Sequence, residues 1–377
     1  MKILFLVSSM HAGGAERVAA TLASAWAERG DAVTLVPTYT GKGSCFYPLS
    51  PKVKLLWLAD YLHKSRNPLL AGIGKLRALR KLVHDEQPGI IVSFLTNVNV
   101  VALIATYGLS VPVIVCERTN PAASTSSGAL LKFLRRLTYR RASVVTVQAQ
   151  SSVEPFKKMV PGIRCLEVIP NPLPPELLDV SLAERAPDSR GRYHLVAMGR
   201  LVPAKQFELL IRVFSELAAD YPEWDLVIWG EGPLRGDLNR LAASAGLASR
   251  VMLPGRTEAP WAELAKAHAF VLTSAVEGFP NVLLEAMAIG LPCVTFDCPS
   301  GPREMTRDGG DALLVPAGDQ AALAGSLRRV LGDAPLRNAL AQKGALSVRQ
   351  RYALPVVLEK WDTLIRQAGV HSDKENL

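Results

Sequence analysis

The run Lys2-Ile-Leu-Phe-Leu-Val-Ser-Ser9, then Gly13-Gly14, then Ala15–Arg29 closed by Gly30, then Ala32-Val-Thr-Leu-Val-Pro37, decides the fold. The first run is apolar without alternation, as a parallel strand buried on both faces must be. Ala15–Arg29 has helical spacing with a glycine stop, and Ala32–Pro37 is again strand-like. The pattern recurs at Ile90–Leu95, Val113–Cys116, Val144–Val147 and Cys165–Ile169, with helical or loop stretches between. Strands that alternate with helices imply βαβ units and a parallel sheet.

The texture changes at Asn171–Tyr193, where Pro172, Pro174, Pro175 and Pro187 interrupt any period; this reads as a linker. A second α/β series follows. Its strands are His194–Gly199, Asp225–Gly230, Val251–Pro254, Phe270–Ser274 and Pro292–Phe296. Its helices are Lys205–Tyr221, Leu234–Ala245, Trp261–Ala267 and Asn281–Ile289. The expected organisation is two α/β domains with a ligand cleft between them. At 377 residues, two or three domains are expected, and 49% hydrophobic with 20% charged residues excludes a disordered or fibrous chain. Five scattered cysteines without a C-x-x-C support neither a disulfide framework nor a zinc ribbon and suggest a reducing compartment. No apolar run has the length of a spanning helix, and the short Ile3–Val7 run does not read as a signal peptide.

Three segments carry chemistry. Glu277-Gly-Phe-Pro-Asn-Val-Leu-Leu-Glu285 places a tight turn between a strand and a helix. Asn281 reads as the N-cap, and the Val282 and Leu283 amides read as unpaired donors suited to phosphate. Glu277 and Glu285 can then face one ligand from opposite sides. Gly199-Arg200-Leu-Val-Pro-Ala-Lys205 follows the first strand of the second series, where open sheets bind ligands. Arg200 as a fork and Lys205 as a point charge can clamp a diphosphate. Gly13-Gly14 lets the backbone approach a phosphate, but the G-x-G-x-x-G of nicotinamide enzymes is absent.

These segments resemble the retaining GT-B glycosyltransferases of family 4: Glu277–Glu285 its E-x7-E signature, Gly199–Lys205 its G-R-L-x-x-x-K motif, and Gly13-Gly14 its acceptor-side glycine loop. Gly230-Glu-Gly-Pro233 and Pro254-Gly-Arg256 are similar to its G-x-G-P and nucleobase-loop segments. The resemblance covers nearly the whole chain. It implies two Rossmann-like domains facing each other across a cleft. Residues 1–175 would bind the acceptor and 190–354 the nucleotide sugar, with 355–377 crossing back to the first domain. It assigns Glu277 to the sugar side of the donor, the Gly278, Phe279 and Pro280 amides to the sugar hydroxyls, and Glu285 to the ribose. Arg200 and Lys205 would hold the diphosphate with Asn281, Val282, Leu283 and Gly14. Gly230, Pro254 and Arg256 would line the nucleoside. Glu277, Arg200 and Lys205 are the expected catalytic set, and Gly13, Glu117 and Arg118 the acceptor side.

Many members place a histidine where this chain reads Cys116-Glu117-Arg118; a guanidinium cannot serve as a base near neutral pH, so Arg118 is expected to bind an acceptor phosphate or hydroxyl. No D-x-D occurs, so no metal and no cofactor are expected; the cations and the helix N-terminus would hold the diphosphate. The segment Cys298–Glu304 resembles that of members using galactose-type donors, which points to UDP-Gal or UDP-GalNAc ahead of UDP-GlcNAc or UDP-Glc. The alternatives are a GT-B nucleotide-sugar epimerase, a phosphorylase, and transfer to a soluble acceptor. A nucleic-acid binder, the reading that the net positive charge alone would suggest, is disfavoured by only 6% aromatic residues.

Charge is uneven. Residues 1–175 hold 21 Lys+Arg and 9 Asp+Glu (+12), whereas 176–377 hold 22 and 25 (−3), recovering the net +9. Two segments concentrate the excess. Lys64–Lys81 carries Lys64, Arg66, Lys75, Arg77, Arg80 and Lys81; Leu130–Arg141 carries Lys132, Arg135, Arg136, Arg140 and Arg141. Each shows leucines at helical spacing, the pattern of an interfacial helix on an anionic membrane. The expectation is a peripheral enzyme on the inner face of the cytoplasmic membrane, with a polyprenyl-diphosphate-linked saccharide as acceptor.

Overall fold

The computed structural model describes every residue except 40–42, 44, 63–67, 120–127, 183–184 and 374–377. The chain divides into two compact units, Met1–Asn171 with Val357–Leu377, and Pro172–Val356.

The first unit holds seven strands: β1 (Lys2–Val7), β2 (Ala32–Pro37), β3 (Lys54–Leu55), β4 (Ile90–Phe94), β5 (Val113–Cys116), β6 (Val144–Val147) and β7 (Leu166–Val168). They form one parallel sheet in the order β3-β2-β1-β4-β5-β6-β7. Every residue of β4, β5 and β6 is buried, which is why these strands read as apolar runs, broken only by Ser93 and Thr146. The helices are α1 (Gly14–Glu28), α2 (Pro68–Glu86), α3 (Thr96–Ala105), α4 (Ala129–Thr138) and α5 (Val153–Met159). One face of the sheet buries Leu79 and Leu82 of α2, Val98 and Leu103 of α3, and Val153 and Phe156 of α5. On the other face Phe5 packs on Trp26 of α1 and on Phe94, and Trp26 meets Trp361 edge to face at 5.5 Å.

The second unit holds β8 (Tyr193–Met198), β9 (Trp224–Trp229), β10 (Val251–Gly255), β11 (Ala269–Leu272), β12 (Cys293–Asp297) and β13 (Leu313–Pro316). All are parallel, in the order β10-β9-β8-β11-β12-β13. The helices are α6 (Phe207–Leu217), α7 (Arg235–Ser244), α8 (Pro260–Ala265), α9 (Asn281–Ile289), α10 (Pro302–Met305), α11 (Gln320–Gly332) and α12 (Ala334–Tyr352). Apolar side chains of α6, α7 and α11 share one core cluster, and those of α9 and α12 share another. The last helix, α13 (Leu354–Asp373), supplies Trp361 to the first unit.

The helix expected over Lys205–Tyr221 is interrupted. Pro203–Lys205 is a 3-10 turn, Gln206 takes φ 52°, and α6 starts only at Phe207. Lys205 therefore stands at the carboxyl end of the sheet rather than inside a helix.

Candidate active site

Strand order positions the site. From β8 the sheet proceeds to β9 and β10 on one side and to β11, β12 and β13 on the other. Open α/β sheets bind ligands outside the carboxyl ends of the strands where the order reverses. Here those ends carry the loops after β8 and β11, which are the Gly199–Lys205 and Glu277–Glu285 segments.

The loops are stitched together by backbone. Gly199 N–H donates to Trp229 O at 2.9 Å, Leu201 N–H to Glu231 O at 2.9 Å, and Ala275 N–H to Ala204 O at 2.9 Å. A Cβ on Gly230, whose φ is +144°, would lie 1.8 Å from Gly199 O, and one on Gly232 would lie 2.3 Å from Leu201 O. The loops after β8 and β9 thus touch backbone to backbone, which only glycine permits.

Lys205 forms an ion pair with Glu277 Oε1, and Ser274 Oγ donates to that same oxygen at 2.6 Å. Both charged side chains are largely buried. Thr273 Oγ1 holds Lys205 in place by donating to its carbonyl at 2.8 Å. The neighbouring Cys298 thiol is pushed up to about 12, first by burial and then by the Glu277 charge, with Lys205 opposing. Arg200 is exposed and makes no ion pair among the described residues.

Two details of α9 differ from expectation. Pro280, not Asn281, is the capping residue, and Asn281 is the first helical residue. The Leu283 amide is not unpaired, because it donates to Pro280 O at 3.0 Å in a tight first turn. Glu285 is buried, and its Oε2 accepts from Trp261 Nε1 of α8 at 3.1 Å. Pro254 and Arg256 are exposed at the end of β10, where Gly255 takes φ +101°. Beside it Glu231 pairs with Arg235 at 2.8 Å. Sequence reasoning missed Ser274 and Trp261. Ser274 abuts the motif and was legible as a strand-end hydroxyl; Trp261 lies 24 residues from its partner and carried no local signal.

In the first unit Gly13 caps α1 in extended backbone, its N–H donating to Tyr47 Oη at 3.2 Å, and Gly14 is the first helical residue. Glu117 is buried. Its carboxylate accepts from Thr96 Oγ1 at 2.8 Å and from Tyr139 Oη at 2.6 Å, with Arg135 at 3.9 Å. Burial outweighs these partners and raises the carboxyl above its usual range. Arg118 is also buried; it donates to Asn171 Oδ1 at 2.7 Å and lies 3.6 Å over the Phe94 ring, and burial pushes it down to about 10. Glu117 and Arg118, two of the three residues expected on the acceptor side, are thus engaged inside the first unit.

The two basic segments are corrected in part. Arg135 is buried in the Glu117 network rather than on a charged face. Lys75 lies over the Tyr39 ring, and burial pushes it down to about 8. Lys64 and Arg66 lie outside the described residues. What α4 does expose is Leu130 (71%), Phe133 (63%) and Leu137 (57%), one stripe at helical spacing. Lys132, Arg136 and Arg140 flank it and are exposed. Leu131 and Leu134 pack inward instead.

Among the described residues no helix is long and apolar enough to cross a membrane, and no group of three or more His, Cys, Asp or Glu side chains is arranged to hold a metal ion.

The chain is 28% identical over 369 residues to a Campylobacter jejuni α-1,4-N-acetyl-D-galactosaminyltransferase that acts on a GalNAc- and diNAcBac-containing diphospho-undecaprenol, covering 97% of this chain and 99% of that enzyme. A Salmonella typhimurium lipopolysaccharide 1,6-galactosyltransferase is 38% identical over 123 residues, 32% of this chain and 34% of that one. In fold, Anabaena Alr3699/HepE crystallised with UDP superposes with TM-score 0.76 at 20% identity, covering 97% of this chain and 99% of that one. The architecture is the GT-B fold. The family model for a glycosyl transferase 4-like domain matches residues 13–172, and that for glycosyl transferases group 1 matches residues 184–346. Between them they take in most of both units, and the chain belongs to the group 1 glycosyl transferases.

Proposed function

We propose that this glycosyltransferase moves a sugar from a UDP-sugar, with GalNAc or Gal first, to a hydroxyl of a polyprenyl-diphosphate-linked saccharide, with retention at the anomeric carbon and without a metal. The observation that carries this is the pairing of Glu277 with Lys205 and Ser274 at the strand-order reversal of the second sheet, beside an exposed Arg200. As the glycosidic bond breaks, the departing diphosphate gains charge. Arg200, Lys205 and the first turn of α9 stand ready for it, and preorganised groups of this kind stabilise the transition state more than the ground state. Glu277 lies at the sugar end and Glu285 at the ribose. A phosphate oxygen of the leaving group takes the acceptor proton, and no enzymatic nucleophile is assigned. The Campylobacter and Salmonella relatives support the donor and the lipid-linked acceptor. A donor panel scored by free-UDP release, with lipid-linked and soluble acceptors side by side, tests the reading; turnover of UDP-sugar without any acceptor would favour an epimerase instead.

Arg200→Ala and Lys205→Ala are each expected to weaken UDP binding by roughly 10–150-fold, since charge-assisted contacts to phosphate contribute about 1.5–3 kcal/mol. Activity is expected to persist in EDTA. Activity lost in EDTA and restored by Mn²⁺ or Mg²⁺ would replace this diphosphate clamp with a metal.

The enzyme would work on the inner face of the cytoplasmic membrane, with the exposed stripe of α4 on the anionic surface. Each cation there contributes about 1 kcal/mol, so Lys132→Glu/Arg136→Glu is expected to weaken binding to phosphatidylglycerol vesicles by at least ~30-fold. Equal co-sedimentation with neutral vesicles at low salt would leave a soluble acceptor.

A further inference from the structure

Cys298–Gly301, the loop after β12, turns back over the segment that follows β11. Ser300 is buried at φ +80°, and Gly301 follows at φ +107°. Left-handed backbone is unfavourable for serine, so it persists only where the surroundings determine it. Two contacts do so here. Ser300 Oγ donates to Gly278 O at 2.6 Å. A Cβ on Gly301 would lie 2.7 Å from Pro280 Cδ, so only glycine allows the loop this close.

The consequence lies in one peptide plane. The Gly278 carbonyl and the Phe279 N–H belong to the same trans peptide and point in opposite directions. Drawing the carbonyl toward Ser300 therefore turns the Phe279 N–H away from it. That N–H has no acceptor among the described residues. Phe279 cannot easily swing, since its ring is buried edge-on against Tyr352 at 5.8 Å. On the preceding side Glu277 is held by Lys205 and Ser274. The turn is thus fixed at both ends, with the Phe279 N–H turned away from Ser300 in its middle.

We propose that Ser300 is a positioning residue for donor recognition: through the Gly278 carbonyl it orients the Phe279 amide to donate to a hydroxyl of the transferred sugar. This rests on the reading of the second unit as a nucleotide-sugar site. Ser300 itself touches no reacting atom. Its hydroxyl selects between donors that carry or lack an acceptor oxygen at that place, and it leaves the nucleotide contacts alone.

Calorimetric titration separates the possibilities, with UDP and UDP-GalNAc as probes for the wild type, Ser300→Ala and Ser300→Gly. The glycine variant removes the hydroxyl and the unfavourable φ together, so it keeps the loop foldable. Losing one oriented hydrogen bond is expected to weaken UDP-GalNAc by roughly 5–10-fold in both variants, with UDP alone changed less than about twofold. Parallel weakening of UDP and UDP-GalNAc would make Ser300 a general support of the loop and overturn the proposal. UDP-GalNAc affinity unchanged in both variants would overturn it as well, leaving the transferase reading intact. A wild type that binds neither probe would refute the nucleotide-sugar site itself.

Discussion

Glu277→Gln is expected to lower kcat by about 10²–10³ while UDP-sugar affinity falls far less, the usual consequence of losing a preorganised charge where charge develops. Glutamine keeps the length and planarity of the side chain and can still accept from Ser274. It cannot neutralise Lys205, which sits largely buried against Glu277 Oε1. The ammonium is then free to turn, and its position relative to the departing diphosphate is lost. Affinity suffers less because Arg200, the tight turn of α9 and Glu285 are untouched. Steady-state kinetics on protein with an unchanged melting temperature check this. Near-wild-type kcat would remove Glu277 from the reaction centre.

The second large effect is on stability. Glu117→Ala is expected to destabilise the first unit by about 3–5 kcal/mol, because removing one partner of a buried ion pair strands the others. The Tyr139 and Thr96 hydroxyls would lose their acceptor, and Arg135 its counter-charge, in a site closed to water. For a unit of this size that is a fall of roughly 10 °C in melting temperature. Arg136→Ala on the exposed side of the same helix is expected to change stability by no more than about 0.5 kcal/mol. Thermal unfolding of the two variants decides the matter. A Glu117→Ala protein of normal stability with a raised KM for acceptor would return Glu117 to the acceptor site where the sequence motif suggested it.

That contrast shows where sequence reading reaches and where it stops. Strands buried on both faces, such as Ile90–Phe94, announce themselves because apolar residues fill both sides, with Ser93 the one polar residue in the run. The two-residue edge strand Lys54–Leu55 has no room for a pattern and was missed. The motif loops were legible because each sits between a strand and a helix with glycine or proline at the turn. Their internal details were not. The asparagine of Glu277–Glu285 looks like the better cap, yet the chain places Pro280 there and tightens the first turn onto its carbonyl. Arg135 and Arg136 are adjacent cations that look alike in sequence. The helix sends one into the core toward Glu117, 18 residues earlier, and the other to the surface. Ser300 is the clearest case. Its left-handed backbone and its bond to Gly278, 22 residues away, depend on two loops meeting, which no local pattern records.

Transfer from UDP-[1-¹³C]GalNAc to a polyprenyl-diphosphate-linked saccharide, followed in EDTA by ¹³C NMR, decides whether the enzyme retains configuration without a metal. The expected result is UDP release matched by an α-configured glycoside on the acceptor. A β-configured product, an epimerised nucleotide sugar, or turnover that needs an added divalent ion would contradict it.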